Sequence, residues 1–293
     1  MAYSIAIDGP AGAGKSTIAK RVAKELGFIY VDTGAMYRAM AIYFVDNGID
    51  GRDEAAVSKA CADVDVKITY EDGAQQVILN GEDVSGLIRT EEVGNTASAV
   101  SVYPAVRAHL LELQRSLAAS RNVIMDGRDI GTCILPDAEA KIYLTASSRV
   151  RAMRRYKELT EKGTMCNLEE IEQDIIERDH RDMTRETAPL KQAEDAVLLD
   201  SSEMTLDQVV KATGKSKAFQ VLLVTSVQID TLYEIEDTCI RTILLTLLHD
   251  SLHSTLTYSF HRTQSETDIT FRIDGKLQVR FVHIRAKDFN THR

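Results

Sequence analysis

The sequence predicts an α/β fold in which a parallel β-sheet is flanked by helices. Short apolar segments alternate with segments of helical periodicity through the first two thirds of the 293 residues. A glycine-rich run separates the first apolar segment from the first helical one. Between residues 65 and 84 the pattern changes to the alternation typical of an antiparallel hairpin. Strands that alternate with helices form a parallel sheet covered on both faces. An antiparallel hairpin does not belong to such a sheet, so it is predicted to form a small subdomain inserted into the α/β core.

The predicted elements follow in chain order. Apolar runs predict the strands of the central sheet at residues 3–7, 28–31, 123–125, 140–144 and 196–200. The inserted subdomain, about 63–115, is expected to hold strands at 65–70 and 75–79, a third strand near 80–84, and helices at about 90–98 and 104–120. Helical spacing also predicts helices at 18–26, before Gly27, and from Leu206. Arginine-rich stretches on either side of the polar break 161–164 predict two helices that form a lid over 149–185.

Composition and charge limit the classes of protein that are compatible with the chain. It is 44% hydrophobic and 27% charged, as soluble globular proteins are. A net charge of −9 argues against nucleic-acid binding, which needs a basic face. Four scattered cysteines without a C-x-x-C pair favour the reducing cytoplasm over a disulfide framework. We expect no signal peptide, because the first strand starts by Tyr3, and no membrane span, because the apolar runs are short.

The glycine-rich run fits the phosphate-binding P-loop pattern G-x-x-x-x-G-K-[ST]. Its residues are Gly9, Pro10, Ala11, Gly12, Ala13, Gly14, Lys15, Ser16 and Thr17. Glycines let successive backbone N–H groups turn toward a phosphate chain, and the helix N-terminus adds positive potential. Lys15 has the length to reach the β- and γ-phosphates, and the Ser16 hydroxyl is a ligand for Mg²⁺. The run therefore predicts binding of a nucleoside triphosphate.

The rest of the sequence distinguishes among users of such a nucleotide. A GTPase would need N-K-x-D, which the chain lacks, and a motor or transport ATPase usually has Asp-Glu after an apolar strand. Here the strand ends in Asp126-Gly127-Arg128-Asp129. A small-molecule kinase needs cations around the moving phosphoryl group, and arginines supply them at positions 38, 128, 149, 151, 154, 155, 178, 181 and 185. The spacing 178, 181, 185 predicts three guanidinium groups on one helical face, although a solvated charged helix is the alternative for such a stretch.

Five segments carry a further resemblance. They are Ile7 to Thr17, Asp32-Thr33-Gly34-Ala35-Met36-Tyr37-Arg38, Leu79-Asn80-Gly81-Glu82-Asp83-Val84-Ser85, Asp126-Gly127-Arg128-Asp129-Ile130-Gly131-Thr132 and Arg178-Asp179-His180-Arg181-Asp182. In this order they resemble the bacterial cytidylate kinases, a group of P-loop nucleoside-monophosphate kinases. The resemblance covers residues 1–212. It implies transfer of the γ-phosphate of ATP to CMP or dCMP with Mg²⁺, on a kinase domain expected to be monomeric.

The resemblance also implies roles for individual residues. ATP would be held by the P-loop together with Arg154. Contacts to the acceptor nucleotide would come from Thr33, Arg38, Ser98, Arg107, Arg128, Asp129, Asp182 and Arg185. Charge on the transferring group would be stabilised by Lys15, Arg128, Arg178 and Arg185. Asp126 follows a strand near the P-loop, so it is a candidate to hold Mg²⁺ with Ser16; a strand-end turn cap is the alternative.

Residues 213–293 lie beyond the resemblance, as an extension whose role and partner the sequence does not identify. A hairpin is predicted over 269–281 around Asp274-Gly275, and an amphipathic helix over 237–252. His249 and His253 would share one face of that helix, as a metal pair or as surface histidines. Two other functions therefore stay open for the chain: a P-loop kinase for another small acceptor such as UMP, and a nucleotide-dependent regulatory or scaffold protein acting through the extension.

Overall fold

The computed structural model describes residues 2–71 and 73–215, and the backbone of 256–262, 267–273 and 276–281. The chain divides into two compact units, Met1–Leu222 and Leu223–Arg293. Within the described residues, no helix combines the length and the apolar character that crossing a membrane requires.

The secondary-structure elements are numbered here in chain order. The strands are β1 (Ser4–Asp8), β2 (Ile29–Asp32), β3 (Val66–Glu71), β4 (Ala74–Leu79), β5 (Glu82–Asp83), β6 (Val123–Gly127), β7 (Ala140–Thr145), β8 (Val197–Asp200), β9 (Leu256–Arg262), β10 (Thr267–Ile273) and β11 (Lys276–Phe281). The α-helices are α1 (Lys15–Leu26), α2 (Thr33–Asp46), α3 (Glu54–Ala60), α4 (Glu91–Val100), α5 (Pro104–Ser120), α6 (Ser148–Glu161), α7 (Leu168–Thr184) and α8 (Leu206–Lys215). A 3₁₀ turn spans Cys61–Asp63 and a π-helical turn spans Ile130–Ile134.

The first unit is built on a five-stranded parallel sheet with the order β2-β6-β1-β7-β8. Alternate residues of its strands bury against different helices, because side chains along a strand point to opposite faces. Ile5 and Ile7 join a core with α1 and α8, whereas Ala6 joins a core with α2 and α5. The predicted α/β fold with helices on both faces is confirmed.

Strand order decides where the functional groups meet. From β1 the chain passes β6 to reach β2 at one edge of the sheet. From β6 it passes β1 in the opposite direction to reach β7. Ligands of such sheets bind beyond the carboxyl ends of the strands, where the order reverses. Asp8, Asp32 and Asp126 lie at the carboxyl ends of β1, β2 and β6, where Asp32 pairs with Asp126 and Asp8 pairs with Gly127.

The inserted subdomain contains the predicted hairpin. β3 and β4 pair antiparallel from Val66↔Leu79 to Glu71↔Ala74. The predicted third strand is only the two-residue β5, which pairs with the end of β4. Val66, Val77 and Leu79 are buried in the core that also includes α2, α4 and α5, so the subdomain packs on the face of the sheet that α2 covers.

The two predicted lid helices are α6 and α7, and one detail of the prediction is wrong. Arg185 does not share a helical face with Arg178 and Arg181, because α7 ends at Thr184 and Arg185 has extended backbone angles. The Leu190 N–H donates to the Asp182 carbonyl at 2.8 Å. A further helical turn would use that carbonyl as an acceptor, so the helix ends there. Arg181 is exposed, in contrast to Arg178 and Arg185.

The second unit contains a three-stranded antiparallel sheet with the order β11-β10-β9. The predicted pairing of 269–273 with 276–281 is confirmed, from Ile269↔Phe281 to Ile273↔Lys276, with a bulge between Phe271 and Arg272. The predicted helix over 237–252, with His249 and His253, lies outside the described residues.

Candidate active site

The P-loop joins β1 to α1 in the predicted strand–loop–helix arrangement. Gly9, Gly12 and Gly14 have positive φ angles of 146°, 75° and 94°, which other residues rarely adopt. A Cβ on Gly9 would lie 1.9 Å from the Leu144 carbonyl oxygen of β7. Gly14 is the N-cap of α1, and no side chain caps that helix. The first N–H groups of α1 are therefore available to an anion.

Lys15 is buried at the start of α1. Its Nζ donates to the Pro10 carbonyl at 2.8 Å, across the loop. Burial, and then the nearby charge of Arg128, lower the pKa of Lys15 to about 7, while Asp126 and Asp8 oppose the shift. A phosphate in the loop would favour the charged form, so Lys15 is suited to a polyanionic ligand.

Ser16 and Asp126, the two predicted metal-binding residues, are in direct contact. The Ser16 hydroxyl donates to Asp126 Oδ2 at 2.7 Å, and the Tyr30 hydroxyl donates to Oδ1 at 3.1 Å. No group of three or more His, Cys, Asp or Glu side chains in the described part of the chain is arranged to hold a metal ion alone. Mg²⁺ usually binds one or two protein oxygens together with substrate phosphates and water, so a hydroxyl and a carboxylate beside a phosphate loop fit that ion.

Three of the predicted arginines, Arg38, Arg128 and Arg178, form a cluster. Arg128 Nε donates to Asp182 Oδ2 at 2.9 Å, which joins the end of β6 to α7. Arg178, one turn earlier on α7, has a buried Nε with no hydrogen-bond partner among the described residues. Burial and then Arg128 lower its pKa to about 10. Burial also lowers the pKa of Arg38, with Arg128 among its charged neighbours. Such a concentration of positive charge is suited to a phosphate.

A second predicted group forms a connected network. Asp129 pairs with Arg107 of α5 and lies 3.7 Å from Arg185 Nη2. Arg185 Nη1 donates to Ser101 Oγ at 3.3 Å, and Ser101 Oγ donates to the Ser98 carbonyl at 2.9 Å. The network thus connects the end of β6, both inserted helices and the end of the lid.

The two remaining predicted residues lie at opposite sides of the site. Thr33 begins α2 and donates its hydroxyl to the Asp126 carbonyl at 2.7 Å. Arg154 of α6 donates to the Ala13 carbonyl at 3.4 Å and to the Ser201 carbonyl at 2.9 Å. Arg154 therefore lies beside the P-loop.

The sequence alone places Arg151 among the cations of the site, but it indicates no individual role for Arg151 or for Asp179. Arg151 of α6 donates Nη1 to the Ala11 carbonyl at 3.0 Å and Nε to the Ala146 carbonyl at 2.8 Å, and it pairs with Asp179 of α7. Arg151 is 4% exposed. Helical spacing does not identify Arg151 as buried, because the exposed Arg155 lies four residues on, along the same face of α6.

A P-loop whose lysine lies beside an arginine cluster, at the carboxyl edge of a parallel sheet, defines a P-loop phosphotransferase. Comparisons with known proteins specify the family. A family model described as Cytidylate kinase matches residues 5–217. A cytidylate kinase from Carboxydothermus hydrogenoformans is 48% identical over 206 residues, which cover 70% of this chain and 93% of the relative. One from Lactobacillus gasseri is 50% identical over 206 residues, which cover 70% and 90%. The chain belongs to the cytidylate kinase family, and it is a nucleoside-monophosphate kinase.

Proposed function

We propose that this chain transfers the γ-phosphate of ATP to CMP or dCMP, giving ADP and CDP or dCDP. One observation carries the proposal: the P-loop lysine and the acceptor-side arginine are close enough for the charge of Arg128 to lower the pKa of Lys15. An anionic group bound near both cations would offset their mutual repulsion. Catalysis of phosphoryl transfer depends on such positioning and charge stabilisation.

The donor nucleotide occupies the P-loop in this proposal. The free N–H groups at the start of α1 and the ammonium of Lys15 contact the phosphates. Arg154 lies beside the Ala13 carbonyl, so its guanidinium is placed to contact ATP from the lid. Mg²⁺ would be held by Ser16 and by Asp126, directly or through water, and when bound it would neutralise charge on the β- and γ-phosphates.

The acceptor phosphate occupies the arginine cluster. Arg38, Arg128 and Arg178 surround it, and the Thr33 hydroxyl at the start of α2 donates to it once its proton turns from the Asp126 carbonyl. An acceptor phosphate oxygen attacks the γ-phosphorus in line with the leaving ADP oxygen. That oxygen is anionic near neutral pH, so the attack needs no strong general base. The arginines hold the two phosphates together against their repulsion.

The cytidine is read by the network around Asp129. Cytosine presents an amino donor beside carbonyl and ring-nitrogen acceptors, and the network offers a carboxylate with the guanidinium groups of Arg107 and Arg185. Ser98 on α4 adds a hydroxyl. Asp182 and Arg185 lie where the lid meets this network, next to the proposed sugar position. A uracil, with a carbonyl in place of the amino group, would meet the acceptor oxygens of Asp129 without a donor.

The test is ADP production by the full chain with CMP, dCMP, UMP and AMP offered separately. We expect CMP and dCMP to be preferred over UMP by about 5- to 150-fold in kcat/KM, since an unpaired buried acceptor costs about 1–3 kcal/mol. Replacing Arg128 by Ala should lower kcat/KM for CMP by about 100-fold or more and leave ATP affinity within a few-fold. A preference for UMP, or equal loss of ATP affinity, would contradict the assigned roles.

The same preparation tests the scaffold alternative. ATP binding without phosphorylation of any acceptor would favour a regulatory or scaffold role acting through residues 213–293.

For the compartment, we propose the reducing cytoplasm, because Cys61, Cys133 and Cys166 are unpaired thiols. We propose no role for the extension itself.

A further inference from the structure

Asp8, the last residue of β1, connects the two halves of the site. It precedes Gly9 of the P-loop, and its side chain is 5% exposed. Its Oδ1 accepts the Ile130 N–H at 2.8 Å, and its Oδ2 accepts the Gly131 N–H at 2.7 Å. Both donors belong to the π-helical turn that directly follows Arg128 and Asp129. The Asp8 carboxylate thus connects the start of the P-loop to the loop that carries Arg128 and Asp129, here called the acceptor loop.

This turn depends on Asp8 for its cap. Its own N-cap residue, Asp129, makes no side-chain cap, because the Asp129 carboxylate is engaged by Arg107 and lies near Arg185. The first N–H groups of a helix need acceptors when they are buried. Asp8 supplies them from 122 residues earlier in the chain. Two N–H bonds to one carboxylate fix both the position and the orientation of the turn.

The surrounding packing leaves the acceptor loop little freedom. A Cβ on Gly127 would lie 2.7 Å from Ile130 Cδ1 and 2.9 Å from Thr33 Oγ1. A Cβ on Gly131 would lie 3.1 Å from Lys141 Cδ and 3.4 Å from Asp8 Oδ2. The loop that carries Arg128 is therefore confined at both ends, and Asp8 makes the contact that leads to the P-loop.

We propose that Asp8 is a positioning residue that sets the separation between the P-loop and Arg128. The inference rests on the proposed function, because it concerns the distance across which the phosphoryl group moves. Asp8 touches neither nucleotide in this proposal. Its loss would misplace the two phosphates relative to each other while leaving each binding site intact, so it should lower kcat and spare binding.

The test compares the full chain with its Asp8→Asn variant. An amide offers one acceptor oxygen and turns its NH₂ toward the second N–H, so the turn must shift. A misplacement of about 1 Å costs on the order of 100-fold in rate, and we expect kcat with CMP to fall by about 10- to 100-fold. The dissociation constants of ATP and CMP, measured separately by calorimetry, should change by less than about threefold.

Asp195→Asn is the matched control. Asp195 pairs with Lys141, whose stem packs against Gly131, and the Asp195 side chain is 64% exposed. This variant should keep kcat within about twofold, since it leaves the Asp8 contacts in place. If Asp8→Asn fails to fold, Gly131→Ala tests the position of the same turn, because its Cβ would lie 3.1 Å from Lys141 Cδ, and the turn would have to move relative to Asp8. This variant should lower kcat and preserve both dissociation constants.

The outcomes separate the two proposals. If the wild-type chain does not phosphorylate CMP, the proposed function fails. If the wild type is active and Asp8→Asn keeps its kcat, or loses affinity for either nucleotide in proportion to its rate, the positioning role alone is overturned.

Discussion

Arg151 provides the sharpest test of how the lid is attached to the P-loop. Its guanidinium is buried between the Ala11 carbonyl, the Ala146 carbonyl and Asp179. Replacing Arg151 by Met keeps an unbranched apolar stem and removes all the N–H donors of the guanidinium. The second oxygen of Asp179 has no hydrogen-bond partner among the described residues, so the variant would leave a buried carboxylate with no compensating charge.

The expected cost follows from that burial. Removing one partner of a buried ion pair destabilises a protein by about 3–5 kcal/mol. In a domain of this size 1 kcal/mol shifts Tm by about 2–4 °C, so Arg151→Met should lower Tm by about 6–20 °C. Adding Asp179→Leu removes the stranded charge, and the double variant should recover about half of the loss or more.

The assay is denaturant unfolding of the wild type, both single variants and the double variant, analysed as a double-mutant cycle. Arg155→Met is the matched control, because Arg155 lies on the same helix in an exposed pair with Glu158; it should cost less than about 1 kcal/mol. ATP affinity should fall in Arg151→Met, since the Ala11 carbonyl loses its donor. If Arg151→Met costs no more than Arg155→Met, or if the double variant is less stable than Arg151→Met alone, the reasoning is refuted.

Three further predictions follow from the P-loop. ADP binding at pH 8 should take up nearly one proton, because Lys15, with its pKa lowered to about 7, is largely neutral before phosphate arrives and charged afterwards; calorimetry in buffers of different ionisation enthalpy measures this, and Lys15→Ala should abolish it. Gly9→Ala should abolish folding or activity, because its Cβ would lie 1.9 Å from the Leu144 carbonyl oxygen. Gly14→Ala has open space around its Cβ, so it should fold with a loss of stability of about 1–2 kcal/mol. A thermal melt of each variant tests both expectations. Asp126→Asn should raise the Mg²⁺ concentration for half-maximal rate by about tenfold or more, and an unchanged Mg²⁺ titration would favour a turn cap.

Much of the fold follows from local sequence. The strand ends of β1, β2 and β6 were predicted to within about two residues, because apolar runs stop where Asp-containing segments begin. The helix α5 was predicted to the residue, because Pro104 suits the first turn of a helix. Local pattern was insufficient for α7, where a carbonyl taken by the distant Leu190 N–H ends the helix one residue before Arg185.

The residues of the site also fall into two groups, those that sequence motifs identify and those that only the fold brings into contact. The P-loop and the arginines were visible as motifs, and the structure brings Ser16 together with Asp126 and Arg107 together with Asp129. Asp8, Arg151 and Asp179 act through contacts that join residues 28 to 140 positions apart, and no spacing rule encodes such pairs. Asp8 and Asp179 lie inside segments that resemble the family, yet their partners are set by the topology of the sheet and the lid.

Transfer of labelled phosphate tests the central claim most directly. ATP labelled at the γ-position is incubated with the full chain, Mg²⁺ and an equimolar mixture of CMP, dCMP, UMP and AMP, and the products are separated. The arrangement of Lys15, Arg128 and the Asp129 network predicts label in CDP and dCDP. Label mainly in UDP, in ADP or in inorganic phosphate would contradict it.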